Sequence, residues 1–551
     1  MQTHKTPLSK KNIAESNTRY YLLLLLIFII FAAIGLVYHE MWRDELEAWL
    51  ISKDSSSISN LLEKVKYTGH PSLWYLCLYL ISQFVKYPWG MQLFHLLISV
   101  TFIYLFILYS PFSKLQKALF CFGYYPLYEY TLISRNYGLA VVFIFAFCAL
   151  FPSRYRNYLP LAIILSLLSY VNVYGIVFSF AFLLTLILDA LINQDDRKRL
   201  YSKRWSITAS LIIYGVSLIT TVLQILPPAD AVYKGDLVSV SEGDFVNSPI
   251  QTNNVSFYLR RLARAIASIW FGYVPVPNFA EFHFHDTNII YWFAQQKQIS
   301  EAAVDTVNYG DIFVFLFSLV ILSIGAIAFY RQPIILFFYT IINFTFIGFI
   351  YLVRMSGVRQ TGYLFFAGLI CLWLSTNYRE SNWLSKLDNK VFAGIVKYKS
   401  QLLTILLCVH VVGGIYAYSR DILHPFSASE ATIEYIQKNH YDELTIVGSN
   451  YALVFPFTAF LDKEIYYLES ESSSSFSMET ANKEDYDLKI THRILEQVDS
   501  LLNREEEILL ISSEELKDSI PTVTIKSLDK FESSIVSDET YYLYLVSDNK
   551  H

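Results

Sequence analysis

Two adjacent carboxylates stand among residues that would suit them for proton transfer. The run His39-Glu40-Met41-Trp42-Arg43-Asp44-Glu45-Leu46-Glu47-Ala48-Trp49 sets Asp44 and Glu45 beside Arg43 and between two tryptophans. A carboxylate in such a cluster could take the proton of an attacking hydroxyl or amine. It could equally hold a divalent cation through its oxygens. The plain alternative is a solvated helix start at a membrane surface, with Trp42 and Trp49 as interfacial anchors.

Three more segments carry residue types that could complete a site. In Tyr67-Thr68-Gly69-His70-Pro71-Ser72-Leu73-Trp74-Tyr75, Pro71 restricts itself and the residue before it, so Gly-His-Pro reads as a turn. The turn would aim His70 at a water-facing cleft; a structural histidine is the alternative. Tyr128-Glu129-Tyr130-Thr131-Leu132-Ile133-Ser134-Arg135-Asn136-Tyr137-Gly138 puts Arg135 and Tyr137 where two apolar segments meet with almost no loop. Val353-Arg354-Met355-Ser356-Gly357-Val358-Arg359-Gln360-Thr361-Gly362 adds Arg354 and Arg359 just after another apolar segment. Guanidinium groups match phosphate oxygens well, so three such arginines on one face would form a phosphate-sized positive pocket. Arg135 has a plainer reading as the partner of Glu129 or Asp44. Glu281, His283, His285 and Asp286 alternate in a way that could add metal ligands, or could line a solvated loop. Cys77, Cys121, Cys148, Cys371 and Cys408 lie in apolar stretches without metal-ligand spacing and read as small core residues.

The elements that must position these residues are membrane helices. Of the 551 residues, 54% are hydrophobic and only 17% charged, where a soluble domain would carry about 25% charged. A net charge of −5 gives no nucleic-acid surface. Apolar segments at Tyr20–Tyr38, Met91–Tyr109, Leu119–Ile133, Gly138–Phe151, Tyr158–Ser169, Gly175–Ile192, Ser206–Ile225, Ile312–Phe329, Ile334–Leu352, Gly362–Leu374 and Leu402–Tyr418 read as crossings. The pair around Asn172 and Gly175 could be two helices or one broken one. Tyr20–Tyr38 is too long and too uniformly apolar for a cleaved leader.

Lys and Arg set the orientation. With the N-terminus cytoplasmic, Lys114, Lys117, Arg154, Arg156, the cluster from Arg197 to Arg204, Arg331 and the basic stretch from Arg379 to Lys399 all fall inside, provided Pro71–Tyr87 does not cross. That segment is expected to lie on the outer face as an interfacial helix. The expected protein has a cytoplasmic tail (1–19), a membrane domain (20–419) with outer loops at 39–87 and 226–311, and an outer domain (420–551). The second outer loop carries an amphipathic stretch near Phe257–Phe271. In the acidic tail, Glu443–Gly448 and Glu507–Ser512 read as strands, Ala428–Asn439 as a helix and Ser470–Glu479 as a flexible Ser-rich loop.

In their order, these motifs resemble the GT-C superfamily of membrane glycosyltransferases, near the protein O-mannosyltransferase and aminoarabinose transferase type. The residues carrying the likeness are Arg43-Asp44-Glu45 through Trp49, Gly69-His70-Pro71 through Tyr75, and Ser134-Arg135-Asn136-Tyr137. It covers roughly the first 200 residues, and the second half only in layout. It implies an α-helical polytopic fold of about eleven transmembrane helices with a small α/β extracytoplasmic C-terminal domain. It also implies a polyprenyl-phosphate-linked sugar as donor and a glycan, lipid or protein acceptor on the outer face. Asp44 would act as base with Glu45 beside it, Arg135, Arg354 and Arg359 would hold the donor phosphate, and His70, Tyr137 and Trp42 would contact substrate. Gly-His-Pro departs from the Lys-Pro-Pro that relatives often carry. The same donor and location would suit a polysaccharide polymerase or ligase, and similar helices a lipid-linked sugar transporter. A bacterial inner membrane is the expected location; a divalent cation is left open.

Overall fold

The computed structural model describes residues 7–192, 204–228, 255–284, 288–290, 309–352, 357–476, 491–502, 505, 507–516, 521–537 and 539–549. Arg354, His285 and Asp286 lie outside them, as do the basic residues from Arg197 to Lys203.

Helices dominate as far as residue 438. They are α1 (Pro7–Tyr38), α2 (Arg43–Lys53), α3 (Ile58–Val65), α4 (Leu73–Ser82), α5 (Trp89–Tyr109), α6 (Lys114–Cys121), α7 (Tyr137–Leu150), α8 (Leu159–Ser169), α9 (Val173–Ile192), α10 (Arg204–Ile225), α11 (Val255–Ala267), α12 (Tyr309–Phe329), α13 (Pro333–Leu352), α14 (Val358–Ser375), α15 (Lys390–Leu423) and α16 (Ser429–Lys438). Among the described residues, seven stretches are long and apolar enough to cross a membrane: Asn17–Tyr38 of α1, α5, α9, α10, Ile312–Phe329 of α12, α13 and α15. This is the build of a multi-pass membrane protein. The other four expected crossings, Leu119–Ile133, Gly138–Phe151, Tyr158–Ser169 and Gly362–Leu374, fall short of that length or apolarity. Fourteen residues of α7 rise only about 21 Å, short of a hydrocarbon core of about 30 Å. α14 is buried along nearly its whole length. α8 and α9 are two separate helices; the Asn172 side chain accepts from Gly175 N–H at 2.8 Å and starts the second.

Leu119–Ile133, expected as one membrane helix, is not one. α6 stops at Cys121, and a buried π-helical turn follows at Tyr124–Glu129. Gly123 and Pro126 interrupt the regular ladder, since Pro lacks an N–H. The break fits against Gly414 of α15, where a methyl would sit 2.9 Å from the Tyr124 nitrogen. Irregular backbone at such a place is tolerated only inside protein. Here side chains satisfy it, with His95 Nδ1 on Thr131 O at 3.0 Å and Ser99 Oγ donating to Tyr130 O at 3.2 Å.

The helical body has two polar ends. At one, Tyr20 OH donates to Lys114 O, Gln116 bonds Ser400, Arg154 pairs with Asp189 and Arg331 with Glu380. At the other, Ser72 N–H donates to Gln224 at 3.1 Å, Leu73 N–H to Tyr170 O at 3.0 Å, and Gln92 reaches His39 O. The described basic residues grouped on one side by the sequence therefore share an end, and the broken segment runs from Lys114 at that end to Arg135 at the other. α4 has ten residues, and the segment around it begins and ends at the same pole, so it does not cross. It buries Trp74, Tyr75 and Leu78 and leaves Leu80 exposed. α11 supplies the expected amphipathic stretch.

The C-terminal part forms one mixed sheet from β1 (Thr445–Gly448), β2 (Ile465–Tyr467), β3 (Ser472–Ser474), β4 (Glu507–Ser512), β5 (Val523–Phe531) and β6 (Tyr541–Asp548), in the order β3-β2-β1-β4-β6-β5. β1 runs parallel to β2 and β4; the other pairs are antiparallel. Alternate residues of β4 serve two layers. Ile508 and Leu510 pack toward the helix Thr491–Leu502 (α18, following α17 at Pro456–Leu461), while Leu509 and Ile511 join the core shared with the helical body. The expected strands and the helix near 428–439 are present. The Ser-rich loop is partly strand: Ser472–Ser474 pairs with β2, and residues 477–479 lie outside the described part. The last membrane helix continues to Leu423, past the expected boundary at 419.

Candidate functional site

Asp44 and Glu45 are neighbours in sequence and opposites in environment. Both lie in the first turn of α2. Successive helical residues point about 100° apart. Glu45 turns inward and is fully buried. Its Oε2 accepts from Trp42 N–H at 3.3 Å, the reach-back of a helix-capping carboxylate, and lies 3.0 Å from His39 Nε2. Its Oε1 accepts from Ser134 N–H at 2.5 Å. Glu45 thus ties the start of α2 to the segment that carries Arg135. The Asp44 side chain is 34% exposed and faces outward.

Two arginines meet Asp44 from elements far away in sequence. Arg135 Nη1 is 3.5 Å and Arg359 Nη1 3.2 Å from Asp44 Oδ2. Arg135 also donates to the Asp44 carbonyl. The Arg135 side chain is 14% exposed and that of Arg359 9%, so their chains are sunk and their heads meet a carboxylate at the surface. Arg359 comes from the first turn of α14 and lies over the Trp42 ring, 5.2 Å from its centre. Its Nε donates to Glu129 Oε1 at 2.8 Å. Glu129, on the π-helical turn, also accepts from Tyr124 OH at 3.0 Å. Two carboxylates and two guanidiniums alternate through this array. Arg135 pairs with Asp44, one of the two partners its plainer reading offered; Glu129 serves Arg359 instead.

The remaining expected residues are spread around this centre. Tyr137 is buried; its hydroxyl accepts from Gln360 at 3.3 Å and its ring stacks on Tyr130. Trp42 is buried against Phe426 and below Arg359. His70 is half-buried on the turn after Gly69, whose φ of 64° suits glycine, and its N–H donates to Thr68 Oγ1. Next to that turn opens a cavity of about 670 Å³, lined in part by Leu62, Lys66, Ser72, Leu73, Leu223 and Gln224. It includes neither Asp44 nor the arginines. Tyr75 on α4 lies within electrostatic reach of Glu47, Arg135 and Asp44; burial pushes its phenol up, and Glu47 adds to the shift.

Glu281 accepts from Asn278 at 2.7 Å and His283 Nδ1 meets the Ile535 carbonyl at 3.3 Å. Among the described residues, no three His, Cys, Asp or Glu side chains gather so as to hold a metal ion. Sequence reasoning named no role for His39, Asp421 or Tyr75, and named Glu129 only as a partner for Arg135. Glu129 left a signal, an ionisable residue inside an apolar run, which needs a partner. Compared with protein-family models, curated proteins and solved structures, the chain matches none.

Proposed function

We propose that this chain is a membrane glycosyltransferase of the GT-C type. It would move a sugar from a polyprenyl-phosphate-linked donor to a glycan, lipid or protein acceptor on the outer face of the membrane. The observation that carries the reading is the Asp44 carboxylate, one-third exposed between two sunken guanidiniums at one pole of a multi-pass helical body. A scaffold has little reason to leave that group open while burying Glu45 and Glu129. The topology rule supports an outer location for this pole, with the N-terminus cytoplasmic and the C-terminal domain outside, in a bacterial inner membrane.

In this reading the acceptor hydroxyl docks against Asp44. Its oxygen attacks the anomeric carbon, its proton passes to Asp44, and the bond from that carbon to the phosphate oxygen breaks. The electron pair stays on the phosphate, which leaves with Arg135 and Arg359 compensating its charge. A single displacement inverts the anomeric centre. Glu45 acts as a positioning residue that holds the start of α2, and Glu129 holds Arg359. Arg354, two residues past the end of α13 and outside the described residues, keeps its proposed phosphate role on sequence alone. The test is release of polyprenyl phosphate from a labelled lipid-linked sugar by the purified protein in the presence of a membrane extract as acceptor. Asp44→Asn should abolish release with unchanged elution and helicity; near-normal turnover of that variant would remove Asp44 from the chemistry.

A further inference from the structure

His39 closes the first membrane helix with both ring nitrogens on carboxylates. Nδ1 lies 2.8 Å from Asp421 Oδ2 and Nε2 lies 3.0 Å from Glu45 Oε2, with all three side chains buried. A neutral imidazole has one N–H and one lone pair. It can donate to one carboxylate only, and its lone pair would then face the oxygen of the other. An imidazolium donates to both. We infer that His39, Glu45 and Asp421 hold one proton in common, as a carboxylate–imidazolium–carboxylate clamp that fastens the loop bearing Asp44 to the last membrane helix, and that loss of this proton releases the loop.

Charge accounting favours the protonated clamp. With the proton the three groups sum to −1; without it two buried carboxylates remain around a neutral ring, a costly arrangement. The groups around the clamp come from several elements. Glu40 follows His39 directly, and Glu430 of α16 stands near it. His95 of α5 and Tyr128 of the π-helical turn face the carboxylates, and Ser134 N–H bonds Glu45. Arg43 and Asp44 flank Glu45 on α2, and Glu539 of the C-terminal domain accepts from Arg43 N–H at 3.2 Å. Arg420 precedes Asp421 but lies over the Phe282 ring, with Nη1 at 3.0 Å from His424. The Phe426 ring packs on the imidazole at 4.7 Å. Glu40 and Glu430 add negative potential when ionised, which favours keeping the proton. Burial by itself would pull the imidazole down; Asp421 and then Glu45 reverse this and hold it well above the ordinary histidine range. The sign follows: the clamp is closed in acid and neutral medium and opens as pH rises through that raised value.

The experiment uses the full chain in lipid nanodiscs with ¹⁵N-labelled histidine. At about pH 8, where an ordinary imidazole is neutral, His39 should show protons on both ring nitrogens. Its signal is assigned by its loss in His39→Gln or, if that variant does not fold, by its shift in Asp421→Asn. A single protonated nitrogen on His39 at that pH overturns the inference. Hydrogen exchange of residues 39–53 supplies the second readout. Corrected for intrinsic rates, it should accelerate at alkaline pH in the wild type and be fast already at neutral pH in Asp421→Asn. Exchange that ignores both pH and substitution overturns the release of the loop.

Discussion

Arg359 offers the sharpest test of how the charge array is built. Replacing it by Met keeps the stem and removes the cation from two carboxylates. Their fates differ. Glu129 is 2% exposed and keeps the Tyr124 hydroxyl at 3.0 Å, whereas Asp44 is one-third exposed and keeps Arg135 at 3.5 Å. Removing one partner of a buried pair costs about 3–5 kcal/mol because a charge is left uncompensated, whereas an exposed pair is worth about 0–1 kcal/mol. Nearly all of the loss in Arg359→Met should therefore be the stranding of Glu129. A second substitution, Glu129→Gln, removes that charge and should recover about 2 kcal/mol or more of the loss, leaving a neutral amide near Tyr124. Asp44→Asn in the same background should recover less than about 1 kcal/mol. Equilibrium unfolding in mixed detergent micelles, followed by far-ultraviolet circular dichroism, measures all four proteins. Equal rescue by Glu129→Gln and Asp44→Asn would refute the claim that burial separates the two carboxylates. An Arg359→Met protein as stable as the wild type would refute the buried pair itself.

Glu40 should impose a pH dependence of its own. Burial pushes its carboxyl from 4.5 up to about 8, with Glu430 adding to the shift. The folded protein then keeps a proton that the unfolded chain releases, so stability falls as pH climbs from about 4.5 to about 8, by at most about 1.4 kcal/mol per pH unit. Melting temperatures across that window should fall in the wild type; in Glu40→Gln the fall between about pH 4.5 and about pH 6.5 should flatten, while the raised His39 keeps its own fall above that range. An unchanged slope below about pH 6.5 would exclude Glu40 as the source. Gly414→Ala should destabilise the break in the Lys114–Arg135 segment by about 1–3 kcal/mol, since its methyl would stand 2.9 Å from the Tyr124 nitrogen. A melting temperature equal to the wild type would show that the π-helical turn can shift to make room.

Much of the fold was legible because membrane helices announce themselves as apolar runs and their loops as charge. The Lys and Arg pattern even demanded that Pro71–Tyr87 stay at one face, as α4 does. What the pattern could not see was context. An apolar run over 119–133 looks like any other until Gly123, Pro126 and Gly414 of α15 are brought together. Apolarity reports burial from water and says nothing of whether lipid or protein does the burying, so the near-complete burial of α14 was not visible in its sequence. In the sheet, Ile508–Ile511 stood out because both faces of β4 are covered. Ser472–Ser474 gave no such signal, because an exposed edge pair needs no apolar alternation.

The site divides along the same line. Asp44, Arg135 and Arg359 were visible as charges at the ends of apolar segments, and the fold brings both guanidiniums within 3.5 Å of the Asp44 carboxylate. Their separation into exposed and buried roles was not visible, since it depends on partners 89 residues away for Glu45, 230 for Glu129 and 382 for His39. Those distant partners decide the chemistry left over. Glu45 is committed to Ser134, Trp42 and His39, and Glu129 to Arg359 and Tyr124, so each carboxylate below the surface is matched by donors that the fold itself supplies. Asp44 meets both arginines through Oδ2 and keeps a third of its side-chain surface exposed. A buried carboxylate can position; one that must receive a proton from an incoming group has to be reachable, and of these three Asp44 alone is.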